Sequence, residues 1–472
     1  MASYPNFYLL PSSPEYKCDD RFSLHPTGDE VEDESGQVPF WPVLETILFQ
    51  PMNSSTELID ILDTISVTLR GTSKPADDYE LLLDGISSTL GTLNIFIQKI
   101  WPRLIAIALE MPVLFPDGRL AVLREQNSHL RFSRRQVACL VVHQFLRTLK
   151  VPPWREDDGT HDFGIWYSFQ QRQTSAVKAY LRALMLYFGG IVCEDEVVNA
   201  EVEEWPVEYS LHSLQEQYHE IVDKDKPLSE LKAVVVDKYD TSPGNLGVEG
   251  DGQAVVISAN KIVGFGQSAT QEEVHVGISP EACPIVLITP PLGHQQILKV
   301  CGAQAMVNVV GKGRDITVES LVSSQEGHRT TWKQRTMLFM DALELDLVDD
   351  GGGLADLFPQ NTEREIAKAY TAFYSSLEGS ICEIRTGLWG CGAFGGDPDV
   401  KMLLMWLAAS MAGVKLTVVC DGELHTFAQK LKDMTRTTKQ TGMGTINLKK
   451  LLQDIPRTLS RGQTLDWLRK KI

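Results

Sequence analysis

Apolar residues in the first half of the chain recur at three- and four-residue spacing. In the second half they gather in short β-branched runs. PVLETILF, STELIDILDTISVTL, YELLLDGISSTLGTLNIFIQKI and RQVACLVVHQFLRTL, all between Trp41 and Gly190, carry the first pattern, which predicts amphipathic helices. Asn53-Ser54-Ser55 and Ser133 stand where helix N-caps are expected. Pro152-Pro153 closes the last of these helices and opens a Trp- and Tyr-bearing loop, and a further helix is expected from Ala176 to Phe188. The runs Ala233 to Val236, Ala254 to Ile257, Pro284 to Ile288, Ala305 to Val310 and Leu416 to Val419 read as buried strands. Helical stretches from Asn361 to Ser376 and from Val400 to Ala412 fall between the later ones, so an α/β lobe with a mostly parallel sheet is expected.

These patterns divide the chain. Residues 1–40, rich in Pro, Ser and acid, read as an extended or poorly ordered lead-in. Residues 41–225 read as a helical accessory domain, ending in an acidic connector from Glu194 to Glu208 and a short helix between Leu211 and Val222. Residues 226–425 form the α/β domain, and 426–472 a basic C-terminal helical segment.

Composition narrows the classes. No apolar run approaches the roughly 18 residues that would span a bilayer, so no membrane partner is expected. The N-terminus has no basic, then apolar, signal-peptide pattern. Eight cysteines without short paired spacing argue against a disulfide framework and a zinc ribbon, and for a reducing compartment, nucleus or cytoplasm. The terminal Arg469-Lys470-Lys471 is too short for an import signal. A net charge of −18 argues against direct DNA binding. The charge is uneven, because Thr426 to Ile472 holds eleven Lys or Arg against three Asp.

Two stretches carry chemistry. Ala254 to Pro280 runs from a strand through Asn260 and Gly264-Phe265-Gly266 to Gln271, Glu272 and Glu273. Burying either carboxyl unpaired costs several kcal/mol or an equivalent pKa shift, which suggests a job for the pair. The second stretch, TGLWGCGAFGGDP from Thr386 to Pro398, places four glycines within seven residues before an amphipathic helix. Such a backbone approaches a ligand closely and offers N–H groups, and Asp397 is placed to cap the helix. It is neither a Walker loop nor a dinucleotide fingerprint. His275, alternating with Val274 and Val276, reads as a strand residue that packs or faces outward, and His143 as a satisfied helix histidine. Cys391 has no neighbouring His or Lys to make it a nucleophile, and Trp389 suits loop anchoring as well as ligand contact.

Together, ISANK-IVGFG-QSAT-QEEV and the downstream WGCGAFGGD closely resemble poly(ADP-ribose) glycohydrolases, and FSRRQVACLVVHQFL resembles that family's accessory segment. The resemblance implies an α/β fold with a macrodomain-like mixed sheet flanked by helices, beside an N-terminal all-helical accessory domain. It implies hydrolysis of ribose–ribose bonds in poly(ADP-ribose) or on ADP-ribosylated proteins, a scheme that requires no cofactor and no metal; a monomer is expected. By the same resemblance Glu273 is the acid for the leaving ribose oxygen and Glu272 holds the ribose hydroxyls. Asn260, Gly264, Phe265, Gly266 and Gln271 line the substrate, Gly392, Ala393 and Phe394 wrap the diphosphate, and Glu249 meets the adenine. An acid beside negative charge also suits an oxocarbenium-like transition state.

The chain departs from the family pattern in four places. Phe265 replaces the middle of three glycines, and only four residues separate that loop from Gln271. Val256 and Ile257 stand where a polar strand residue is usual, and the position of a substrate-clasping tyrosine falls near Ala303. An ADP-ribose reader without turnover is therefore a second reading, favoured if Phe265 occludes Glu273. An unrelated α/β nucleotide-sugar hydrolase is a third, favoured if the two glycine loops lie far apart.

Overall fold

Eight strands form one mixed sheet: β1 His129–Phe132, β2 Val207–His212, β3 Leu231–Val236, β4 Gln253–Ala259, β5 Ile297–Cys301, β6 Thr336–Asp341, β7 Glu383–Thr386 and β8 Lys415–Asp421. The computed structural model describes residues 4–26, 36–70, 78–126, 128–156, 159–194, 205–216, 218–242, 245–247, 252–322, 335–347, 353–377 and 381–472. In space the strands run β1-β2-β5-β6-β4-β7-β8-β3. The five from β6 to β3 are mutually parallel, and β1, β2 and β5 join antiparallel. Two strands thus come from stretches read as helical or connector, and Leu211 belongs to β2 rather than to a helix.

The two faces of β4 sort the cores. Val255, Ile257 and Ala259 point into one cluster, which also holds the helices of the N-terminal half. Ala254 and Val256 point into the other, as period-two alternation requires. On the first face lie α1 Arg134–Leu146, α2 Thr174–Glu194 and α3 Gln271–Gly277. On the second lie α4 Pro359–Ser376, α5 Pro398–Ala412, α6 His425–Thr441, α7 Thr445–Asp454 and α8 Thr464–Arg469. With both faces covered, β3, β4 and β8 hold the apolar runs Ala233–Val236, Ala254–Ile257 and Leu416–Val419, whereas β7, Glu-Ile-Arg-Thr, has no such run.

Several expected caps are present. Ser133 and Gln136 make a capping box at the start of α1. The amide of Glu57 donates to Ser54 Oγ at 3.2 Å. Three expectations are corrected. Residues 285–288 form a helical turn, not a strand. His275 lies on α3, buried, not on a strand. The lead-in is anchored over residues 4–26: Tyr8, Leu10 and Tyr16 are buried, and the phenols of Tyr8 and Tyr16 donate to the carbonyls of Lys150 and Thr148 at 2.5 and 2.8 Å.

Candidate active site

The carboxyl ends of β4, β6 and β7 share one edge of the sheet. Ala259 is level with Asp341 on β6. On its other side β4 pairs with β7 only as far as Val255 opposite Arg385. Beyond that point a side chain replaces the missing strand. Gln271 Oε1 accepts the Ser258 amide at 3.1 Å, and its Nε2 donates to the Val256 carbonyl at 3.2 Å. The backbone groups that β7 abandons are thereby satisfied. After β4 the chain turns to α3 on one face and after β7 to α5 on the other, and in sheets of this kind ligands bind in the crevice at such a switch point.

Glu272 ties the turn together. Its Oε2 accepts the Asn260 amide at 2.8 Å and its Oε1 the Gly264 amide at 2.7 Å. The side chain is buried, and burial pushes its carboxyl up to about 8, against the pull of those two amides and of the nearby Arg155 guanidinium. Glu273, half-buried, completes a capping box with Thr270, its Oε2 accepting the amides of Ser268 and Thr270 at 2.7 and 3.2 Å. Burial raises its carboxyl as well, opposed by the amides of Thr270 and Ser268. Its Oε1 lies beside Gly266, where a Cβ would run into the carboxylate. Ala269, with φ of 57°, holds the tight entry to the helix.

The helical half supports the turn from behind. Phe265 is 3% exposed and packs on Trp166 and Phe163 at ring-centroid distances of 5.1 and 5.4 Å. Its ring therefore points away from the crevice. The Trp166 indole donates to the Gly266 carbonyl at 2.9 Å. Arg155 donates to the Val263 carbonyl and, at 2.9 Å, to Thr160 Oγ1. At Gly264 a Cβ would sit 2.8 Å from Val286 and 2.7 Å from the Arg155 guanidinium, so glycine is needed there for space.

The glycine loop is pinned at its base and open at its tip. Trp389 is buried and donates to the Met340 carbonyl at 2.9 Å, so it is an anchor. Gly390 and Gly395 adopt positive φ of 74° and 69°. The Phe394 carbonyl accepts the amides of Leu345 and Asp346 at 2.9 and 3.2 Å, which fastens the loop to the segment after β6. Gly392 and Ala393 are exposed. Among the described residues, no acceptor takes the amides of Gly392, Ala393 or Phe394, so these amides are left for an anion. Asp397 caps α5 through the Val400 amide at 2.9 Å. Beneath, a buried ionic network of Lys401 with Glu365 and Asp356, and of Asp341 with Arg364 and Lys368, joins the end of β6 to α4 and α5.

Asn260, Gly264, Phe265, Gly266, Gln271, Glu272 and Glu273 thus form one unit, and Gly392, Ala393 and Phe394 a second on the same edge. Glu249 lies outside the described residues. Ala303 is buried past the end of β5 that pairs with the start of β6, on the opposite edge of the sheet, so an aromatic there would not border the crevice. His275 is buried, and burial lowers it to about 3, so it is no general base. Sequence reasoning missed Arg155, which follows the Pro-Pro-Trp of a loop.

The sheet, with its crevice between β4 and β7, defines a macrodomain-class α/β protein. Residues 222–427 match the model of the poly(ADP-ribose) glycohydrolase macro domain fold, and residues 92–204 that of the helical domain of the same family. The two matches together cover more than half of the chain, and the chain belongs to the poly(ADP-ribose) glycohydrolase family. Poly(ADP-ribose) glycohydrolase 2 of Caenorhabditis elegans is 25% identical over 227 residues, covering 45% of this chain and 47% of that protein. Poly(ADP-ribose) glycohydrolase 1 of the same organism is 27% identical over 193 residues, covering 39% and 25%. The chain therefore spans less than half the length of these relatives. The solved poly(ADP-ribose) glycohydrolase of Thermomonospora curvata matches at a TM-score of 0.30 and 13% identity, over 45% of this chain and 79% of that one, too slight a likeness to rest anything on.

Proposed function

We propose that this protein hydrolyses the ribose–ribose O-glycosidic bonds of poly(ADP-ribose) and releases ADP-ribose. The observation that carries the proposal is the adjacent carboxyl pair on the first turn of α3, at the same sheet edge as an amide-rich glycine loop. Both oxygens of Glu272 are committed to backbone amides, so this side chain positions the turn and, through it, the ribose. Glu273 commits one oxygen to capping and keeps Oε1 beside the Gly266 backbone, which suits the acid role. Its raised carboxyl favours the protonated form the reaction needs.

In this scheme the terminal diphosphate rests on the amides of Gly392 to Phe394. Glu273 protonates the leaving ribose oxygen as the bond to the anomeric carbon breaks. The diphosphate offsets the developing positive charge. Water then adds to the anomeric carbon and returns a proton to Glu273. Asn260 lies at the terminal ribose.

The reader alternative depended on Phe265 occluding the acid, and the ring is instead held by Trp166 and Phe163. The unrelated-hydrolase alternative depended on distant glycine loops, and these lie after neighbouring strands. We extend the proposal to a monomer that reverses ADP-ribosylation, including that raised by DNA damage, in the nucleus or cytoplasm. Seven unpaired cysteines among the described residues fit a reducing compartment. The proposal is tested by incubating the protein with poly(ADP-ribose) and separating the products by chromatography. Free ADP-ribose is expected, and an unchanged polymer would reject it.

A further inference from the structure

Residues 428–472 lie beyond the family match, which ends at 427, yet their final stretch reaches the glycine loop. Arg461 Nη2 donates to the carbonyl of Gly396 at 2.6 Å and, more loosely, to that of Cys391 at 3.5 Å. The next amide, Gly462, donates to Asp397 Oδ2 at 2.6 Å, while Asp397 Oδ1 caps α5. One turn further on, the Leu465 amide donates to Asp399 Oδ2 at 2.9 Å. The segment is itself well seated. Leu465 and Leu468 are buried, the Arg457 carbonyl accepts the Leu354 amide at 3.0 Å, and Lys430 bonds the Gly462 carbonyl at 2.9 Å and Asp466 at 2.7 Å.

Stereochemistry gives these contacts a consequence. In a trans peptide the carbonyl and the N–H point in opposite directions. Drawing the Cys391 carbonyl towards Arg461 turns the Gly392 amide away from the C-terminal segment, to the exposed side of the loop. We propose that the C-terminal segment is a brace for the glycine loop, and that Arg461 is a positioning residue which sets the loop amides before a diphosphate arrives. The identity of that ligand rests on the proposed function; the brace does not. A loop fixed in its bound shape binds without an ordering cost. A contact remote from the reacting bond acts equally on ground and transition states, so its loss raises KM and spares kcat.

The experiment uses the full chain carrying Arg461→Ala or Arg461→Lys. Amide hydrogen exchange is followed across residues 388–396, ADP-ribose binding by calorimetry at low and high salt, and kcat and KM on poly(ADP-ribose). For Arg461→Ala, exchange in the loop is expected to quicken and affinity to fall, each by about tenfold, as for a lost hydrogen bond to a charged group. The affinity ratio to wild type should be the same at both salts, KM should rise with kcat nearly unchanged, and Arg461→Lys should recover part of the loss. Because Arg461 is exposed, thermal unfolding serves as a control for folding. Unchanged loop exchange in Arg461→Ala would overturn the brace. An affinity loss that vanishes at high salt without faster exchange would overturn it too, making Arg461 a direct phosphate contact. A wild type that neither binds nor cleaves would reject the proposed function, and the exchange measurement would still decide the brace.

Discussion

The carboxylate of Glu272 accepts the main-chain amide of Gly264 at 2.7 Å, and this bond holds helix α3 to the turn after β4. Because the other oxygen takes the Asn260 amide, both ends of the turn hang on one side chain. A glutamine at 272 would keep one acceptor and set its NH2 against an N–H donor. Glu272→Gln should therefore cost about 1–3 kcal/mol in stability, the penalty of a buried unsatisfied donor. Turnover should fall by about a hundredfold or more as the turn shifts. Urea unfolding and initial rates check both, and a variant with native stability and rate would refute the role.

The same residue makes stability depend on pH. An ordinary glutamate titrates near 4.5, whereas burial pushes Glu272 up to about 8. Between those values the native state keeps a proton that the unfolded chain has released, so stability falls as pH rises through the window. Urea midpoints compared at about pH 5 and about pH 9 should drop for wild type and drop less for Glu272→Gln. Parallel profiles would show that Glu272 is not the group responsible.

Gly266 has no room for a side chain because the Glu273 carboxylate lies where a Cβ would go. Its φ is not positive, so alanine meets a displaceable side chain rather than backbone strain. Gly266→Ala should push Glu273 out of its cap and lower turnover by about a hundredfold, with a melting shift of only a few degrees. Retained turnover would place the acid elsewhere.

Phe265 should prove structural. Removing a buried phenylalanine typically costs about 3–5 kcal/mol, and Phe265→Ala empties the space against Trp166 and Phe163. Chemical unfolding should show that loss, and Phe265→Leu a smaller one. A stable alanine variant with altered ADP-ribose affinity would instead put the ring at the ligand.

Much of this was legible in the chain. Apolar spacing separated helices from strands, and Ser133 and Asp397 cap the helices they precede. The two chemical stretches fall on one sheet edge, the first after the β-branched run of β4 and the second after β7, whose Glu-Ile-Arg-Thr carries no such run. What failed did so for physical reasons. The alternation Val-His-Val around His275 imitates a strand, but Thr270-x-x-Glu273 is itself a capping-box signature and announces a helix. The apolar run at 285–288 is buried, and periodicity alone does not tell a buried turn from a strand. Tyr8 and Tyr16 order a lead-in whose polar composition outweighed two anchors. Gln271, Arg155 and Arg461 act by bonding main-chain groups far away or out of register, and such contacts leave no spacing to read.

The most direct test replaces Glu273 alone. Release of ADP-ribose from poly(ADP-ribose) by wild type and Glu273→Gln is measured alongside calorimetric ADP-ribose binding. Turnover by the wild type, lost by about a hundredfold or more in the variant with affinity kept within a few-fold, is the expected result for a general acid. Binding without turnover in the wild type, or full turnover in Glu273→Gln, would contradict it.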